Sequence, residues 1–160
     1  MENNRELAKR FSDVILNNSW VANNSYKNQL TDLPLEVVLL KYQSLHSIAA
    51  LAQHVHYYIA GILNVFNGGN LDIKDIYSLD FPPINTIEQW HTFLAVFWTD
   101  AASFTQKLEE MDENTLNSIF VKKEYGTYYF NINTLIEHSY YHLGQIVLIK
   151  KLISSTEYLL

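Results

Sequence analysis

Two histidines, His138 and His142, stand four positions apart in EHSYYHLGQIVLIKK, a run from Glu137 to Lys151 otherwise dominated by aromatic and aliphatic residues. Four residues are just over one helical turn, so on a helix both imidazoles leave the same side. Such a pair can grip a divalent cation if a third ligand comes from elsewhere in the chain. There is no cysteine, which removes thiolate zinc sites, disulfide frameworks and cysteine nucleophiles together. Any metal here must use His, Asp or Glu.

With His138 at zero on a 100°-per-residue wheel, His142 lies at about 40°, Leu135 at about 60°, Gln145 at about −20°, Ile149 at about 20° and Leu152 at about −40°. Both histidines therefore point along the stripe that turns to the core. The opposite side carries Ile136, Tyr140, Leu143 and Val147. A helix apolar on both sides is central or lies at a subunit contact, so a homodimer is expected unless the Asn70 to Asn85 segment or the chain ends cover that face.

Candidates for the third ligand are His46, His54, His56 and His91. In the segment Ser47 to Phe66 the apolar stripe is Ile48, Val55, Ile59, Ile62 and Phe66, and His54 and His56 fall near its two opposite margins. Periodicity does not choose between them. His46 sits at a break and His91 follows Trp90 early in a later helix, which makes both surface or capping positions.

The elements that must position these residues follow from spacing and punctuation. Leu7, Phe11, Val14 and Ile15 predict a first helix from Glu2 to about Asn17, with a break near Asn17 and Asn18. Asp32 is expected to cap a helix with Pro34 in its first turn, reaching Lys41. After a break around Gln43 to Ser47, Ser47 caps a helix that runs to Phe66 and stops at Gly68 and Gly69. Asn70 to Asn85, with two consecutive prolines and no sustained period, reads as a long ordered loop. Thr86 and Gln89 form a capping-box pattern for a helix that carries Trp90, Phe93, Leu94, Phe97, Phe104 and Leu108 to about Met111. SIFVKKEYGTYYFNIN reads as a short hairpin or extended link around Gly126, and Asn131 or Asn133 caps a last helix reaching about Ile153. The sum is an all-α four-helix bundle with a long crossover loop, one domain over residues 1–160.

Composition narrows the function classes. The five Gly and three Pro among 160 residues suit long helices. A net charge of −6 with scattered Lys and Arg supplies no footprint for nucleic acid. The opening MENNRELAKRF has no apolar core, so it is not a signal peptide. Ser47 to Phe66 lacks formal charge over a length that could span a bilayer, but Gln53, His54, His56 and Asn64 interrupt it, which favours a bundle helix. A cytoplasmic protein that binds neither membrane nor nucleic acid is expected.

LAQHVHYYIAGIL, followed about eighty residues later by HSYYHLGQI, resembles the DinB/YfiT-like superfamily of four-helix metal proteins, in which a His on the second helix pairs with an HxxxH on the last. NSWVANNSYKNQL, GGNLDIKDIYSLDFPPI and YGTYYFNI look like one subgroup of uncharacterised DinB-like proteins, so the likeness covers nearly the whole chain. It implies metal ligands at His54, His138 and His142, with Gly144 and Gln145 following as in the family. Leu143 departs from the pattern, since many relatives carry arginine there; if that arginine serves an anionic substrate, the same substrate is not expected here.

Three neutral imidazoles leave a coordination position open, which is the catalytic kind of site. Zinc is the default ion, and nickel, iron or manganese also suit three nitrogens and solvent. The resemblance implies a metal-dependent thiol S-transferase that joins a low-molecular-weight thiol to a small electrophile. Alternatives are a metal-dependent hydrolase and a non-enzymatic dimeric metal-binding or stress-response module. Gln145 is the candidate for a hydrogen bond behind a ligand, and Tyr58, one turn beyond His54, for lining the pocket. Glu137, at about −100°, reads as a solvated or capping carboxylate rather than a general base.

Overall fold

In the computed structural model, which describes residues 2–18 and 20–157, four long helices carry the core. Helix α1 (Glu2–Ile15) buries Leu7, Phe11, Val14 and Ile15 on one side, as their spacing predicts. A short α2 (Tyr26–Leu30) opens on a capping box between Ser25 and Asn28. Helix α3 (Leu35–Leu39) differs from expectation. Pro34 itself is the extended N-cap, Asp32 makes no cap, and the helix ends at Leu39 rather than Lys41. A residue before proline is pushed away from helical geometry, so no helical turn forms ahead of Pro34.

Helix α4 (Ile48–Phe66) starts where the Ser47 hydroxyl accepts from Ala50 N–H, and it stops at Asn67 before Gly68, whose φ is +86°. Helix α5 (Ile87–Glu110) opens on the Thr86–Gln89 capping box. After the short α6 (Glu113–Asn117), a single antiparallel bridge between Ile119 and Thr127 pinches the link, and Gly126 turns it with φ +73°. No regular strand forms among the described residues.

Helix α7 (Tyr128–Glu157) begins earlier than Asn131 or Asn133 and runs past Ile153. The Thr127 hydroxyl accepts from Phe130 N–H and so occupies the capping role. The β-favouring Tyr128, Tyr129 and Phe130 are helical because packing against the bundle outweighs their weak intrinsic preference. Phe120 and Phe66 both meet the Tyr128 ring.

Contacts along the helices fix their directions. Asn4 reaches the Glu109 carbonyl while Phe11 meets Phe104, so α1 and α5 are antiparallel. His56 pairs with Asp100 while Phe66 meets Phe104, so α4 and α5 are parallel. His54 faces His142 while Ile62 and Leu135 share a cavity, so α4 and α7 are antiparallel. Each long helix packs beside two others in the ring α1, α5, α4, α7.

Because α4 and α5 run the same way, the chain must travel back along α4 between them. The helix is 19 residues long, about 28 Å at 1.5 Å per residue. Residues 67–86, which include the loop expected from Asn70 to Asn85, cover that return with slack for a 3₁₀ turn at Asp75–Tyr77.

The apolar-on-both-sides character of α7 is resolved within the chain. Ile136 and Leu143 are buried, and the segment leading into α2 lies over them. The Tyr26 hydroxyl donates to the Ser139 carbonyl at 2.8 Å, Lys150 donates to Gln29, and Val21 and Ala22 line a small cavity with Tyr140, Leu143 and Val147. That face therefore gives no argument for a homodimer. Among the described residues no helix is long and apolar enough to cross a membrane, Ser47 to Phe66 included.

Phe104 holds three of the helices together, with its ring 4.4 Å from that of Phe11 and 4.9 Å from that of Phe66. Phe104→Ala is expected to lower unfolding free energy by about 3–5 kcal/mol, read from urea denaturation with an unchanged slope.

Candidate metal centre

The antiparallel contact of α4 and α7 brings one turn of each helix face to face. His54 from α4 meets His138 and His142 from α7, with ring centroids 5.1 and 4.8 Å away. One ligand-capable nitrogen from each of the three lies within 4.8 Å of the others. The His54 Nε2 and His138 Nε2 atoms are 3.2 Å apart. Two nitrogens bound tetrahedrally at the usual zinc distance would stand about 3.4 Å apart, so this pair is already spaced to share an ion.

Which nitrogens are free to bind is decided behind the rings. His54 Nδ1 lies 2.8 Å from the Ser78 carbonyl. A carbonyl only accepts, so Nδ1 carries the proton and Nε2 presents its lone pair to the centre. His142 Nδ1 lies 2.7 Å from Gln145 Oε1, an arrangement in which the ring donates through Nδ1 and has the same tautomer. Partners of this kind orient metal-binding imidazoles and raise their basicity. The donor set thus fits a divalent ion: neutral imidazoles, two of them oriented with Nε2 inward, and room for further ligands.

Electrostatics favour the neutral rings. Burial, and after it the like charges that His142 and His54 would add, push His138 down to about 4. Burial also lowers His142, against the opposing effect of the hydrogen bond its ring donates to Gln145. Both are therefore neutral near pH 7 and need lose no proton to bind a metal.

The crossover forms one wall of the site. Tyr57 and Tyr58 on α4 hold it down: the Tyr57 hydroxyl accepts from Lys74 N–H at 2.8 Å, and the Tyr58 hydroxyl donates to Asp75 Oδ1 at 2.9 Å. Gly61 lets the loop come close, since a Cβ there would sit 2.5 Å from Ile73 Cγ2. The Tyr58 ring stands edge-on to both His54 and His138. Beside His138 a cavity of about 290 Å³ opens, lined by Tyr58, Ile62, Asn131, Thr134, Leu135 and His138.

The other sequence candidates separate cleanly. His56 turns to α5, where its Nε2 lies 2.7 Å from Asp100 Oδ2 and its ring meets Phe93 and Phe97. His46 and His91 are exposed, although His46 lies near enough to His142 for its charge to help lower that ring. Glu137 is exposed and accepts from Asn133 Nδ2 at 2.8 Å, away from the three histidines. Leu143 is buried under the α2 side of the bundle rather than in the cavity.

Two contributors had no usable sequence signal. Ser78 acts through a main-chain carbonyl, which every residue possesses. Asp75 is one of several acidic residues in the crossover, and only the docking of that loop on Tyr58 brings it to the site.

Residues 21–160 match the model of a family described as a protein of unknown function (DUF1572). No curated protein and no solved structure matches the chain.

The depressed histidines couple stability to pH. Their folded values lie below the ordinary 6.5, so between that value and about 4 the unfolded chain binds more protons than the folded one. Their contribution is complete above pH 6.5 and is lost as the pH falls toward 4. In the presence of chelator, thermal midpoints are expected to drop across that window, and His138→Leu should flatten the drop relative to the parent.

Proposed function

The chain belongs to the DUF1572 family, and on that premise we propose that it is a DinB-like metal-dependent enzyme, an S-transferase joining a low-molecular-weight thiol to a small electrophile. The observation that carries the proposal is the convergence of three imidazoles from two facing helices on one point. In the DinB/YfiT-like pattern a His on the second long helix meets an HxxxH on the last, and His54, His138 and His142 stand in that relation.

His54, His138 and His142 would hold the ion. When bound, a divalent cation supplies Lewis acidity there, making a thiol or water nucleophilic near neutral pH. The protein's own part is positioning. Ser78 and Gln145 hold two of the imidazoles in register, and the α4 to crossover contacts wall the site on one side. Burial, opposed by a hydrogen bond from Ser78 and reinforced by the Asp75 carboxylate, raises the Tyr58 hydroxyl, so it stays protonated at neutral pH beside the cavity. Zinc is the first candidate ion, with nickel, iron or manganese compatible with the same nitrogens.

The site is of the open, catalytic type rather than a structural staple. A cluster of buried apolar side chains unites the four long helices, which supports a fold that stands without the ion.

Protein purified without a histidine tag is expected to hold about one metal equivalent per chain. Alanine at His54, His138 or His142 should abolish that binding, while His56→Ala should retain it. Gln145→Leu should weaken affinity by about 10–100-fold. Chelation should leave the helical circular dichroism intact. Turnover of an electrophile panel that requires both metal and added thiol supports the transferase. Metal-dependent turnover without thiol would favour a hydrolase, and absence of turnover in fully metallated protein would leave a binding module.

A further inference from the structure

The cavity beside His138 has a chemical bias that the histidines do not explain. Its apolar walls are Ile62 and Leu135, and its polar residues are Tyr58, Asn131, Thr134 and His138, whose neutral ring brings one N–H and one acceptor nitrogen. Among the described residues, no Lys or Arg lines it. Lys74 precedes Asp75 on the crossover but is exposed and is not part of the wall.

The polar groups have largely spent their donors elsewhere. Asn131 Nδ2 donates to the Tyr125 carbonyl at 2.6 Å and to the Thr127 carbonyl at 2.8 Å. Carbonyls cannot donate, so the amide orientation is fixed and Oδ1 is the atom left for a ligand. The Tyr58 hydroxyl proton goes to Asp75 at 2.9 Å, and its oxygen already takes a hydrogen bond from the Ser78 side chain, so Tyr58 offers a ligand no free donor. Thr134, exposed at the lip, can both donate and accept. The carboxylate of Asp75 adds negative charge behind Tyr58. The cavity therefore presents acceptors, an aromatic edge and a nearby anion, around a floor that takes an apolar body.

We propose that this cavity binds a small molecule with an apolar body and a hydrogen-bond-donating end, an amine above all, and that it rejects carboxylates. A carboxylate placed there would lose its hydration, find few donors and lie near Asp75, whereas an ammonium would meet acceptors on more than one side. The proposal rests on reading the three-histidine centre as a reaction site and names the class of substrate that reaches it: of the thiols or electrophiles open to this enzyme, those ending in an amine or amide rather than an acid.

The test uses the full chain free of metal, so that it reads the cavity alone and not the attraction of a cation for anions. Binding of 2-phenylethylamine, 2-phenylethanol and 3-phenylpropionate, which share one apolar body, is measured by ligand-observed NMR titration. The expected order is amine, then alcohol, then carboxylate, with at least about a tenfold gap between the ends of the series, equivalent to about 1.4 kcal/mol. Thr134 is exposed, so changes there should leave the fold intact. Thr134→Trp should obstruct the lip and weaken all three ligands, and Thr134→Lys should invert the order in favour of the carboxylate. Equal or tighter binding of the carboxylate by the parent chain overturns the proposal, as does saturable binding of none of the three, or an order that Thr134→Lys leaves unchanged. Failure to take up metal would sink the proposed function while leaving this result standing, and the two can be told apart on the same preparation.

Discussion

Helices α4 and α5 lie side by side and run in the same direction, and much of the site follows from that constraint. Parallel neighbours cannot be joined by a tight turn, so residues 67–86 must return along the length of α4. In doing so they pass the turn that carries His54, Tyr57 and Tyr58. The return path supplies the Ser78 carbonyl to His54 and the Asp75 carboxylate to Tyr58. Topology thus delivers orienting groups to a centre whose ligands come from other elements.

The centre combines a rigid base with a docked wall. His138 and His142 belong to a 30-residue helix packed against α1, α4 and the segment leading through α2, so their Cα positions are set by the core. The wall is a loop docked on α4 by the Tyr57 and Tyr58 hydroxyls, the Ser78 bond, the Gln53–Pro82 and Asn64–Asn70 hydrogen bonds, the Tyr57–Phe81 ring contact and the close approach at Gly61. A helix-borne ligand set with a loop-borne second layer joins precise placement to an accessible cavity.

The His56–Asp100 pair shows how position on a helix decides the fate of a side chain. Two residues from His54, His56 lies about 200° around α4 and faces α5. There it is held by Asp100 and enclosed by Phe93 and Phe97. The chemistry of the two side chains is identical; only the neighbouring helix differs.

The sequence by itself determined the long helices, their caps at Ser47 and Thr86, the crossover and the shared face of His138 and His142, because each of these is set by local spacing and local hydrogen bonding. It misplaced the starts of α3 and α7, where a proline restriction and the packing of Tyr128 outweighed simpler capping signals. It also offered an apolar outer face of α7 that the α2 segment of the same chain covers. Periodicity left His54 and His56 equal, and only the likeness to a known family separated them. Tertiary structure alone decided which of the two faces α7, that Ser78 fixes the His54 tautomer, and that the Tyr125 and Thr127 carbonyls orient the Asn131 amide beside the cavity. Those facts depend on which helix lies next to which and on where a long loop lands, and no local pattern of residues encodes either.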